Sequence, residues 1–200
     1  KTQASLLEAM EEHQITVDGT TYPLPELFMV IATQNPIEQL GTYRLPEAQM
    51  DRFMMKVSMG YPEKIKEETD IVRRIMDGEP LKKLLPVTSK EDIIYIKEEI
   101  KKVIIHEDII SYAVEIARHT RRNRYLTLGA SPRAAIALTR AARSRAYLLG
   151  RSYVTPEDIT VLAEPVLMHR LVLSSEARLE GKKEKDILQE ALHQTKVPIL

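Results

Sequence analysis

The sequence predicts a mainly α protein with a small β part, in which a truncated piece of a parallel α/β sheet is followed by an all-helical bundle. Three observations carry this. Residues Phe28-Met29-Val30-Ile31-Ala32-Thr33 form a continuous apolar run rich in strand formers, closed by Gln34-Asn35-Pro36, which is the pattern of a strand buried on both faces of a parallel sheet. Asp18-Gly19 joins the short strands Gln14-Ile15-Thr16-Val17 and Thr20-Thr21-Tyr22-Pro23-Leu24, the strongest short hairpin signal there is. From Pro62 onward the periodicity is helical and is punctuated by helix caps.

Taken in order, residues from about Thr2 to Glu12 read as an amphipathic helix on Leu6, Leu7 and Met10, and the hairpin is an insertion between it and the core strand. The chain enters that helix at once and without an initiator methionine, so it is expected to start within a domain. Pro46 to Phe53 predicts a short helix with proline at its favoured first position, and Met54 to Met59 alternates as a second strand. Gly60-Tyr61-Pro62 then breaks the chain, which divides it into domains 1–61 and 62–200. In the second domain, Ile65, Val72 and Ile75 mark a helix ending at Gly78, and Pro80 to Pro86 is a loop. Thr88-x-x-Glu91 is a capping box ahead of the stripe Ile93, Ile96, Ile100 and Val103. Further helices run from Glu107 to Arg122, from Ser131-Pro132 to Gly150, from Thr155-Pro156 to a break or kink at Pro165, and from Lys183 to Gln194.

Composition bounds the function. With 44% hydrophobic and 29% charged residues, the 200-residue chain is of ordinary globular type, and the absence of cysteine excludes disulfides and thiolate metal sites. No run of eighteen apolar residues and no charged-then-apolar amino terminus occurs, so neither a membrane span nor a secretion signal is expected here. A formal charge of zero argues against a generic nucleic-acid binder. No G-x-x-x-x-G-K-[ST] loop is present, the five histidines lack metal-binding spacing, and no serine or threonine sits in a hydrolase motif.

Three residues stand out chemically. Asn35, at the tip of the buried strand, has an amide able to donate to a phosphate oxygen and accept from a water, as positioning a nucleophile beside a nucleotide requires; turn chemistry alone also explains it. Arg52, on the short helix, would be able to reach across a subunit boundary if the protein assembles into a ring, and there neutralise charge on a transferred phosphoryl group. The plain alternative is a surface ion pair with Asp51 or Glu47, neither at the favoured helical spacing. Arg133 lies in the first turn of the helix opened by Ser131-Pro132, where the positive end of the helix dipole disfavours a cation unless an anion is near. Between Arg118 and Arg151 there are nine arginines and no acidic residue; for most of them a solvated basic face suffices, but Arg133 points to a bound anion.

The run LLEAMEEHQITVDGTTYPLPELFMVIATQNPIEQLGTYRLPEAQMDRF, together with GASPRAAIALTRAARSRAYLLGRSYVTPEDI, closely resembles the MoxR family of AAA+ ATPases. The resemblance implies that 1–61 is the last part of a nucleotide-binding core and 62–200 its helical lid. It implies Asn35 as the first-sensor residue, Arg52 of MDRF as the arginine finger and Arg133 of GASPRA as the second-sensor arginine. The family's phosphate loop and Walker B pair precede the first helix and are absent from these residues, so ATP and Mg²⁺ are expected to be held mainly by upstream residues, with this piece alone inactive. The resemblance further implies a cytoplasmic ATPase that remodels or matures a client, a homo-oligomeric ring of six subunits, and a partner with a von Willebrand factor A domain. Two alternatives remain at this stage. One is a helical module that binds nucleic acid through Arg121, Arg122 and Arg124; the other is a partner-docking module without ATPase chemistry.

Overall fold

The structure is a computed structural model that describes residue 6 and residues 9–34, 45–78 and 80–199. After a helical turn at residues 9–12, the elements are β1 (Gln14–Val17), β2 (Thr20–Pro23), α1 (Glu47–Met50), α2 (Ile65–Met76), α3 (Lys90–Lys101), α4 (Glu107–Arg122), β3 (Leu126–Leu128), α5 (Pro132–Leu148), α6 (Pro156–Leu167), β4 (Val172–Leu173), α7 (Ser175–Leu179) and α8 (Glu184–Gln194). Short 3₁₀ turns occupy Pro80–Lys83 and Met168–Arg170. The fold is mainly α with a small β part, as the sequence predicts.

The core sits where the helical stripes are most regular. Along α4, Ile109, Tyr112, Ala113, Ile116, Ala117 and Thr120 recur at three- and four-residue steps and are buried. They meet Leu138 and the small residues Ala134, Ala135, Ala141, Ala142 and Ala146 of α5, and the short alanine side chains let the two helices approach closely. Ile159, Ala163, Val166 and Leu167 of α6 and Leu188 of α8 complete this cluster.

One tight connection fixes where α5 begins. The buried Thr120 hydroxyl donates to the Ala117 carbonyl at 2.7 Å and accepts from the Ala130 amide at 2.9 Å, drawing the chain after β3 onto the end of α4. Gly129 makes that approach possible, since a Cβ there would lie 2.7 Å from the Arg121 backbone. The antiparallel pair β3–β4, which the sequence reading does not include, clips this connection to the chain following α6.

The hairpin forms as predicted, with Val17 opposite Thr20, and Asp18 and Gly19 both at positive φ, the backbone that a two-residue primed turn requires. The long helices also match. Four expectations change. Residues 28–34 form no strand, and Met29 and Ile31 are exposed, because no described segment supplies the ladder partners that a buried strand needs. Residues 54–59 are irregular for the same reason, with Met59 96% exposed. The capping box is Ser89 with Asp92, one residue beyond the predicted pair: the Ser89 hydroxyl accepts from the Asp92 amide and the Asp92 carboxylate accepts from the Ser89 amide, both at 3.0 Å. The helix containing Pro165 continues two residues past it before tightening into the 3₁₀ turn.

Replacing Gly129 by alanine is expected to cost about 1–3 kcal/mol, since backbone rather than a flexible side chain must yield. Urea unfolding measures this; an unchanged midpoint would show that the β3–α5 connection is free to shift.

Candidate functional site

The residues of chemical interest gather where the segment after α1 docks onto the helical bundle. At the centre is Arg170, whose side chain is only 3% exposed. A guanidinium carries five N–H donors, and in this position five hydrogen bonds are formed. Nε donates to the Asp51 carboxylate at 2.8 Å, and one terminal nitrogen donates to the carbonyls of Asp51 (3.1 Å) and Phe53 (2.6 Å). The other terminal nitrogen reaches the carbonyls of Met54 (3.3 Å) and Val166. Burial pushes the Arg170 pKa down, and the Asp51 carboxylate opposes that by favouring the charged form.

Two further bonds extend the seam. The Lys56 amide donates to the Pro165 carbonyl at 2.8 Å. Pro165 and Val166 stand in the last turn of α6, whose carbonyls lack helical partners, so the docked segment and Arg170 satisfy acceptors that the helix leaves open. His169 donates from Nε2 to the Phe53 carbonyl at 3.2 Å, while its Nδ1 is buried without a partner. Burial, with Arg170 beside it, lowers the His169 pKa to about 4, so the ring is neutral near pH 7.

Asp51 also determines how α5 starts. Ser131 is the N-cap residue of α5, yet its side chain caps no amide of the helix. Instead its hydroxyl donates to both Asp51 carboxylate oxygens, at 2.9 and 3.1 Å. One carboxylate therefore ties residue 51 both to Arg170 and to the N-terminus of α5. The neighbours on either side of this tie, Arg52 and Arg133, are brought to the same place. Arg52 pairs with Oε2 of Glu11 and Arg133 with Oε1.

The sequence reading thus meets the structure unevenly. Arg133 points in the sequence to a bound anion; in the structure its partner is an internal carboxylate, Glu11 of the N-terminal helical turn. Arg52 is ion-paired, but with Glu11 rather than Asp51 or Glu47; Asp51 is already engaged by Arg170 and Ser131. Asn35 lies outside the described residues. The basic stretch from Arg118 to Arg151 is not all solvated: Arg145 and Arg151 both bind the fully buried Asp158 carboxylate, with Arg151 at 2.6 and 2.9 Å. Asp158 also accepts from the Thr155 amide at 2.8 Å. Despite burial, these partners hold its pKa at about 2. No cluster of acidic or histidine residues able to hold a metal occurs among the described residues.

Glu11, Asp51 and Arg170 were missed from sequence. In the sequence Glu11 stands beside Glu12 with nothing to mark it out, and Arg170 lies 119 residues from Asp51 with no motif around it. The one available signal was Arg133 itself, a cation in the first turn of a helix with no acidic residue there to pair with.

The two layers differ in strength. Removing one partner of a buried ion pair costs about 3–5 kcal/mol, whereas a partly exposed pair contributes about 0–1 kcal/mol. Arg170 with Asp51 belongs to the first class, and Glu11 with Arg52 and Arg133, 41% exposed at Glu11, belongs to the second.

Comparison with known proteins gives two family matches. Residues 1–55 match the ATPase family associated with various cellular activities (AAA), and residues 118–191 match the AAA lid domain. The chain is 47% identical over 199 residues to YeaC of Bacillus subtilis, covering 100% of this chain and 62% of YeaC. It is 36% identical over 207 residues to the Mycobacterium tuberculosis protein named Chaperone MoxR1, covering 99% of this chain and 54% of that protein. A crystal structure from Cytophaga hutchinsonii, provisionally described as an ATPase, superposes with a TM-score of 0.89 at 40% identity, over 98% of this chain and 62% of that one. The chain therefore spans between about half and two thirds of the length of these relatives.

Arg170→Ala is expected to cost about 3 kcal/mol and to speed hydrogen exchange at the Lys56 amide well beyond that at the core of α4. Equal acceleration at both places, or no change at Lys56, would mean that the seam does not depend on Arg170. The pH response has two windows. His169 takes a proton near pH 6.5 when unfolded but near 4 when folded, so the stability it contributes is complete above 6.5 and is lost as pH falls toward 4. Asp158 contributes stability that is present above about 3.8 and is lost as pH falls toward 2. Urea titrations across pH 7 to 4 should show the first decline, and the variant His169→Gln should flatten it.

Proposed function

We propose that this chain, which belongs to the MoxR family of AAA+ ATPases, supplies the nucleotide-sensing and inter-subunit arginines of an ATPase that remodels or matures a client protein. The observation that carries this reading is the meeting of Arg52 and Arg133 on one carboxylate. Each guanidinium holds one carboxylate oxygen and is equally suited to a phosphate oxygen; in this reading the two serve different nucleotides, Arg133 that of its own subunit and Arg52 that of a neighbour. They lie where the segment matched to the AAA family joins the part matched to the lid.

In this reading residues 1–61 belong to the nucleotide-binding core and 62–200 to the lid. Arg133 senses nucleotide from the lid, Arg52 completes the site of a neighbouring subunit, and Asn35 orients the attacking water. In the same reading ATP and Mg²⁺ are held mainly by residues upstream of this piece in the intact protein. A cytoplasmic homo-oligomeric ring of six, acting with a partner that carries a von Willebrand factor A domain, completes the proposal; the name Chaperone MoxR1 of one relative supports the client-directed part. Among the described residues no helix is long and apolar enough to cross a membrane.

The roles of the two arginines separate in the intact protein. Arg52→Ala should leave ATP affinity unchanged and lower turnover by about 10³-fold or more, the scale of an arginine finger. Arg133→Ala should weaken ATP binding. Steady-state hydrolysis and calorimetric titration measure both; full turnover by Arg52→Ala would remove that residue from the site.

A further inference from the structure

Glu11 stands apart from the other acidic groups of the seam. Asp51 is held by a buried cation and a hydroxyl, and Asp158 by two arginines and the cap of α6. Both are fixed parts of the fold. Glu11 makes its two ion pairs in partly exposed positions, and its partners come from different places: Arg52 follows α1, and Arg133 opens α5. The buried tie of Asp51 to Arg170 and Ser131 already aligns these two segments without it. Glu11 is therefore not needed to bring the arginines together; it occupies them once they are together.

Arg133 also has an electrostatic reason to keep an anion. It sits at the positive end of α5, whose first turn carries no acidic residue, and there the Glu11 carboxylate pairs with its guanidinium. A phosphate oxygen pair would meet the same needs with more charge. Each Glu11 oxygen faces one arginine, and both are open enough to water to exchange.

We propose that Glu11 is a built-in competitor for nucleotide phosphate, holding Arg52 and Arg133 in an idle arrangement that an incoming phosphate group must displace. The proposal rests on the sensing role assigned to Arg133 and adds a residue that regulates it. When phosphate takes Arg133, Glu11 keeps its pair with Arg52 alone. Glu11 acts through the two arginines and touches no reacting atom; it is a positioning residue.

The test uses the intact protein with ATP as titrant and compares the wild type with Glu11→Gln, Arg133→Ala and the double variant. Glu11→Gln keeps the size of the side chain and removes its charge. It should tighten ATP binding about fivefold, the equilibrium equivalent of one partly exposed ion pair, and the gain should disappear when Arg133 is alanine. Glu11→Asp, which retains the charge, should lie close to the wild type. Affinity in Glu11→Gln that is unchanged or weaker, while Arg133→Ala still weakens binding, would overturn the competitor role and leave the sensing role intact. If Arg133→Ala has no effect on affinity, both fail. A gain that persists without Arg133 would show that Glu11 acts by general charge rather than through this contact.

Discussion

The arrangement depends on one buried cation. Arg170 follows the end of α6 by three residues and has no water to satisfy its donors, so each must find a protein acceptor. It finds them in the Asp51 carboxylate and in four carbonyls, three of them on the segment 51–54. An irregular stretch with few apolar contacts of its own is thereby held on the helical bundle. The cost of burying the charge is offset only because the carboxylate and all four carbonyls are present together. The position of Arg52, next to Asp51, and of Arg133, two residues after Ser131, follows from that requirement.

The helical part was legible because its information is local. Apolar residues at three- and four-residue steps, proline at the start of α5 and α6, and glycine after the ends of α2 and α5 are signals that a single element carries by itself. The hairpin was legible for the same reason, as Asp18-Gly19 encodes its own turn. The run 28–33 shows the limit: an unbroken apolar stretch reports that burial is intended, but a strand exists only when neighbours complete its ladder. The shift of the capping box from Thr88 to Ser89 is a smaller case, in which two overlapping hydroxyl-acid pairs differed by one residue.

The site was legible in part and at one remove. A cation in the first turn of α5 implied an anion, and the electrostatics of a helix end sufficed for that. Which anion it would be could not follow, because Glu11 is 122 residues away and becomes a neighbour only through the docking that Arg170 enforces. The arginine-rich stretch was likewise half understood: Arg145 and Arg151 serve a buried aspartate that lies beyond the end of the stretch.

The central claim is that Asp51 and Arg170 act as a unit that joins the segment carrying Arg52 to the helix carrying Arg133. A double-mutant cycle of Asp51→Asn and Arg170→Gln, followed by urea unfolding, tests this most directly. Coupling of more than about 1 kcal/mol is expected for two groups in one buried network. Effects that add to within about 0.5 kcal/mol would contradict it, and would mean that the two arginines meet on Glu11 for some other reason.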